Sequence, residues 1–128
     1  MKKKLIISLF LLSTIFCIGQ TQNISRYNLD SDIKDFTLID SESGIRFILD
    51  ETRIFVTSID ENGNQLWQTD PWKDNNIKEY RIERPIIVQF YFSDNNWSGL
   101  KGIWIVYNNT QFGILDKSTG NFTFLGQD

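Results

Sequence analysis

Along most of the chain, apolar and polar residues alternate in short runs, and clusters of Asp, Asn, Gly and Ser break the runs. Alternation with a period of two is the mark of a half-buried strand, and those clusters are the mark of tight turns. The pattern predicts strands at Phe36 to Asp40, Ile45 to Leu49, Arg53 to Ile59 and Gln65 to Gln68. Further strands are expected at Glu79 to Glu83, Ile86 to Phe92, Ile103 to Tyr107, Gln111 to Leu115 and Asn121 to Leu125. In Glu79 to Glu83, Tyr80 and Ile82 should point inward and the three charged residues outward. Ile86 to Phe92 and Ile103 to Tyr107 are apolar on both faces, which predicts central positions in a sheet. Two longer polar stretches, 69–78 and 93–102, read as loops.

Strands joined in this way describe an all-β fold, a small antiparallel meander closing into a barrel or stacking as a two-sheet sandwich. Composition agrees. The chain has no Ala and is rich in Ile, Phe, Tyr, Trp and Thr, which suit a pleated surface better than a helix.

The amino-terminal residues follow a different pattern. Lys2-Lys3-Lys4 precedes an apolar run from Leu5 to Ile18, and the chain turns polar at Gly19-Gln20. A positive head, a short apolar middle and a small residue at the exit form a secretory signal peptide. The run is shorter than the about 20 residues of a membrane span, which weighs against an uncleaved anchor. Cys17 opens a lipoprotein reading, against which stands the bulk of Phe16 just before it. The expected organisation is a signal peptide at 1–19, a poorly ordered lead-in at 20–34, and a single β domain at 35–128. Export to the periplasm or the extracellular space follows, with no membrane attachment after cleavage.

Cleavage after Gly19 leaves 109 residues, with ten basic and sixteen acidic side chains and a net charge of −6. No basic stripe remains for nucleic acid or an anionic membrane. The only Cys leaves with the signal, so no disulfide staples the domain, and sixteen aromatic residues must supply its core.

Ile59-Asp60-Glu61-Asn62-Gly63-Asn64-Gln65-Leu66-Trp67 and Leu115-Asp116-Lys117-Ser118-Thr119-Gly120-Asn121-Phe122-Thr123-Phe124 share one design: an apolar strand end, a turn-opening Asp, a closing Gly and a returning aromatic. This resembles the outer hairpins of quinoprotein-like β-propeller repeats. The resemblance implies repeated four-stranded units and carries over no cofactor site, and the mature length supplies two or three such units at most. In its Lys-rich short signal, Gln at the cleavage point and Ile- and Asn-heavy composition, the chain as a whole resembles small exported proteins of Bacteroidetes.

The chemistry available is narrow. There is no His, and the mature chain has no Cys. This removes Ser-His-Asp and Cys-His catalysis, zinc sites and iron–sulfur clusters. Asp70, Asp74, Asp94 and Asp116 could in principle form a carboxylate pair for glycoside hydrolysis, but each sits in a turn or a polar loop. Asp60-Glu61-Asn62-Gly63-Asn64 lacks the Gly and Glu spacing of a calcium loop. No metal, cofactor or enzymatic activity is expected.

Two tryptophans in polar loops offer more. Trp72 and Trp97, with Asp70, Lys73 and Asn96, make the candidate partner-binding set, because exposed Trp concentrates binding energy. If a strand at 79–83 pairs with the next one, loops 69–78 and 93–102 emerge at the same end and the five residues share one rim. The function expected is a non-enzymatic binding module acting on a protein partner, possible forms being an inhibitor or an immunity-type protein. The alternative is a carbohydrate-binding module with Trp72 and Trp97 as stacking platforms.

Overall fold

The computed structural model describes residues 33, 35–93, 99 and 101–128; the expected signal peptide at 1–19 and nearly all of the expected lead-in at 20–34 fall outside these. Eight strands follow one another: β1 (Thr37–Ile39), β2 (Arg46–Leu49), β3 (Val56–Ile59), β4 (Gln65–Thr69), β5 (Ile87–Ser93), β6 (Gly102–Tyr107), β7 (Phe112–Leu115) and β8 (Phe122–Gly126). They form two antiparallel sheets, ordered β1-β2-β3-β4 and β5-β6-β7-β8, with no helix among the described residues. The sheets stack as a sandwich and no barrel closes.

Period-two alternation decides which side chains meet between the layers. In β2, Phe47 and Leu49 are buried while Arg46 and Ile48 are only half-buried; in β3, Val56 and Ser58 are buried against half-buried Thr57 and Ile59. From the second sheet come Ile87, Phe90, Ile103, Ile105, Tyr107, Leu115 and Phe122. Phe47 joins the layers, its ring edge-on to Phe92 at 6.0 Å and tilted against Trp67 at 5.9 Å. The Trp67 indole N–H donates to the Lys117 carbonyl across the layers at 3.1 Å, and Lys117 pairs with Asp40 at 2.9 Å.

Both sheets are four-stranded meanders, and the echoed hairpin is the last one in each: Asp60 to Gly63 joins β3 to β4, and Asp116 to Gly120 joins β7 to β8. The turns work as their chemistry requires. Asp60 accepts from the Asn62 and Asn64 N–H groups at 2.9 and 2.8 Å, and Asp116 from those of Ser118 and Thr119 at 2.8 and 2.9 Å. Asp40 and Asp50 do the same at their turns.

These bonds favour the ionised carboxylate, so all four Asp have lowered pKa values. The Lys117 ammonium is the main cause at Asp40, the Asn64 N–H at Asp60 and the Thr119 N–H at Asp116. At Asp50 burial acts upward, and the Thr52 hydroxyl with the Ile54 and Phe55 N–H groups outweighs it. A carboxylate whose folded pKa lies below its unfolded value stabilises the fold above the unfolded value and loses that contribution as pH falls through the folded one. Thermal melts should therefore be nearly flat between about pH 5 and 8, where a chain without His has little to titrate, and should fall steeply below the ordinary value of 3.8. A midpoint that changes little between pH 5 and pH 2 would contradict the turn assignments.

Three expectations need correction. Glu79 to Glu83 is not a strand: it holds a single bridge, between Tyr80 and Ile82, with Tyr80 half-buried and Ile82 exposed. β4 and β5 are edge strands, but the segment between them pairs with neither edge, because Gln111 holds it at Lys78 and Asp70 holds it at Arg84. Arg53 does not start a strand either; it closes the β2–β3 turn at φ 60°, and its carbonyl accepts from Ile87 N–H at 2.9 Å. Finally, β6 is central as expected but β5 is an edge strand.

Candidate functional site

The connection between β4 and β5, residues 70–86, is the longest described stretch without regular strand, and the molecule holds it with unusual density. Its first part is a tight turn. The Asp74 carboxylate accepts from the Thr69 hydroxyl at 3.1 Å and the Asp70 N–H at 2.9 Å, while Asp70 accepts from the Lys73 N–H at 3.1 Å. Asn75 donates to the Pro71 carbonyl at 2.8 Å and accepts from the Phe122 N–H at 3.3 Å, tying the turn to β8.

Gln111, 2% exposed just before β7, is the hub. Its carbonyl oxygen accepts from the Trp72 indole N–H at 2.8 Å and from the Asn109 amide at 2.7 Å. Its amide donates to the Lys78 carbonyl at 2.8 Å and to Gln127 at 3.2 Å. Arg84 pairs with Asp70, whose side chain is only 5% exposed, and its guanidinium lies over the Trp72 ring at 5.4 Å. Beside them the Tyr107 hydroxyl is buried and makes no hydrogen bond among the described residues. Burial pushes its pKa well above the ordinary 10.0, the Asp70 carboxylate adds to the rise, and the Arg84 guanidinium and the Trp72 backbone N–H act against it.

The tip of the connection contrasts with this base. Ile82 N–H donates to the Tyr80 carbonyl at 2.6 Å around Arg81, whose φ is 60°. A three-residue turn with positive φ at a residue other than Gly is the strained form of the γ-turn. Arg81 and Ile82 are both exposed there. On one side Lys78 is held by Gln111 and the Tyr80 hydroxyl donates to the Asp128 carbonyl at 2.7 Å; on the other, Arg84 is held by Asp70. The Arg81 guanidinium lies 4.8 Å from the centre of the Tyr80 ring.

Of the five residues expected to share a rim, the three that are described do not form an exposed set. Asp70 is buried and braces Arg84; Lys73 is exposed; Trp72 is half-buried and packs against the core, with its N–H on Gln111 and its ring under Arg84, so it serves as an internal strut. Asn96 and Trp97 lie outside the described residues. The shared end rested on a strand at 79–83. Without it, the 70–86 connection meets β5 at Ile87, whereas Ser93 and Gly102, which flank 94–101, pair at the other end of β5, roughly 20 Å away at 3.3 Å per residue. At that far end a cleft of about 620 Å³ opens beside Asp40, Phe92, Ser93 and Lys117. There Lys117 is occupied by Asp40 and by the Phe92 ring at 5.6 Å.

Alternation concealed Arg81, since Glu79-Tyr80-Arg81-Ile82-Glu83 has the same pattern as a strand. Nothing local marked Gln111, whose partners other than Asn109 lie 16 to 39 positions away. Among the described residues no three acidic side chains gather as a metal site. Comparison with protein families, curated proteins and solved structures finds no match.

Proposed function

We propose that this is an exported, non-enzymatic module that binds a protein partner outside the cytoplasm, in the manner of an inhibitor or immunity protein. The observation that carries this reading is the γ-turn at Arg81, a strained and exposed tip on a base pinned at Lys78, Tyr80 and Arg84. Backbone strain is retained where the surroundings over-determine it, and such places cluster at binding and clamp sites. A loop fixed before binding also avoids the entropy of ordering it afterwards. The net charge of −6 for residues 20–128 favours a basic partner.

The test has two parts. The intact mass of the exported protein should correspond to residues 20–128, and a full-length chain in the membrane pellet would contradict export. Envelope proteins retained by immobilised 20–128 are then identified and titrated against the variant Arg81→Gly/Ile82→Ala. Gly adopts positive φ freely, so the variant should melt within about 1 kcal/mol of the parent. Affinity should fall by roughly 30-fold, a hot-spot loss of about 2 kcal/mol. Equal affinity of parent and variant would remove the tip from the interface.

A further inference from the structure

The second sheet has two apolar faces, and only one of them meets the first sheet. On the other stand Val88, Trp104, Val106, Phe112 and Ile114, with Leu125 at the margin. Cross-strand register places them together: Trp104 pairs with Ile114, and Val106 with Phe112. A side chain on an open sheet face keeps its outward surface in water. Yet Trp104 is 5% exposed, Val106 0% and Phe112 7%, while the rim residues Tyr91 and Thr123 are exposed. No described strand crosses this face. The centre is covered and the margin is not, as a third layer narrower than the sheet would leave it.

We propose that the outer face of the second sheet is the docking surface for the chain's own residues 20–32. Where the described chain begins supports that occupant. Ile33 packs against the inter-sheet core, and Phe36 lies under the Arg53 guanidinium at 5.6 Å. The Arg53 carbonyl in turn accepts from Ile87 N–H. Phe36, near the start of the described chain, is thus linked through Arg53 to the start of β5. The next residue of β5, Val88, belongs to the outer face, because the pairing with β6 slips between Ile87 and Gln89.

Length and composition agree. Thirteen residues reach up to about 43 Å, ample for four strands spaced about 4.8 Å apart. Ile24, Tyr27 and Leu29 supply apolar contacts. Residues 94–101 must leave Ser93 and return to Gly102, so they extend at most about 13 Å from that end. That distance is spent on arriving at Val106, with nothing left for Phe112 and Val88. Residues 1–19 are lost if the signal is cleaved.

The test uses chain 20–128 with a nitroxide at Ser25→Cys, an unambiguous label because this chain has no other Cys. Amide signals of 104–106 and 112–114 should lose most of their intensity, while those of 37–39 and 46–48 on the first sheet keep theirs. Broadening on the first sheet instead, or on neither, overturns the proposal. A dimer whose face-to-face contact protects 104–114 with the label distant overturns it in favour of a second copy. In a chain beginning at Asp35, one further Trp should become open to acrylamide quenching; an unchanged quenching profile in a folded 35–128 also overturns it. The labelled chain decides the matter should the truncated one not fold.

Discussion

Gly120→Val is expected to destabilise the domain by about 3–5 kcal/mol, whereas Gly63→Val, at the corresponding turn of the other sheet, should cost about 1–3 kcal/mol. Both glycines adopt positive φ, 74° and 88°, where a β-branched side chain is strained in either place. Their surroundings differ. A Cβ on Gly63 would have nothing within 4 Å, but one on Gly120 would lie 2.8 Å from the Trp67 ring. That ring is held in place, because its N–H is bonded to Lys117 and it packs against Phe47 and the core. Urea denaturation of the two variants measures the difference. In a Trp67→Leu background the extra cost at position 120 should shrink toward the Gly63 value, since the clash term depends on the ring. Equal losses at both positions in the parent background would mean that Trp67 does not pack on the turn.

Gln111→Leu should cost about 3–5 kcal/mol, although it exchanges one buried side chain for another of similar size. The loss arises at the partners left behind. The Trp72 N–H, the Asn109 amide and the Lys78 carbonyl each lose a bond, and a buried polar group without one costs about 1–3 kcal/mol. The consequence should concentrate in the 70–86 connection, whose amides should exchange hydrogen faster than those of β2 and β6. Partner affinity should fall with it, because the γ-turn at Arg81 persists only while its base is held. Affinity at the parent level in a folded Gln111→Leu variant would separate the tip from its pins. The exposed control Gln65→Leu should change neither measurement.

The two variants probe different depths of the sequence. The Gly120 turn was legible from local chemistry: an Asp and a Gly four residues on, between two apolar runs, need no distant partner to form a hairpin. The same holds for the remaining strands, because alternation and turn residues act within a few positions and set the local backbone preference. Pairing neighbours in order then gives each four-stranded meander, and the unpaired step from β4 to β5 divides them into two sheets. What alternation cannot reveal is whether a segment will pair with an edge or be held by other partners. Glu79 to Glu83 has the pattern of a strand, yet Gln111 holds Lys78, Asp70 holds Arg84, and the backbone between them folds into a γ-turn.

Trp72 marks the same boundary. Within Asp70-Pro71-Trp72-Lys73 it reads as an exposed aromatic in a polar loop, and only Gln111, 39 positions on, makes it a strut. The sequence by itself determined the all-β class, the strand-and-turn order and the narrow range of available chemistry, since these depend on residue type and near-neighbour spacing. The tertiary structure decided which loop is pinned, where the ends of β5 point and which side chains are sealed. Those outcomes turn on hydrogen bonds and packing between residues far apart in the chain, whose cost or gain appears only once both partners are in place.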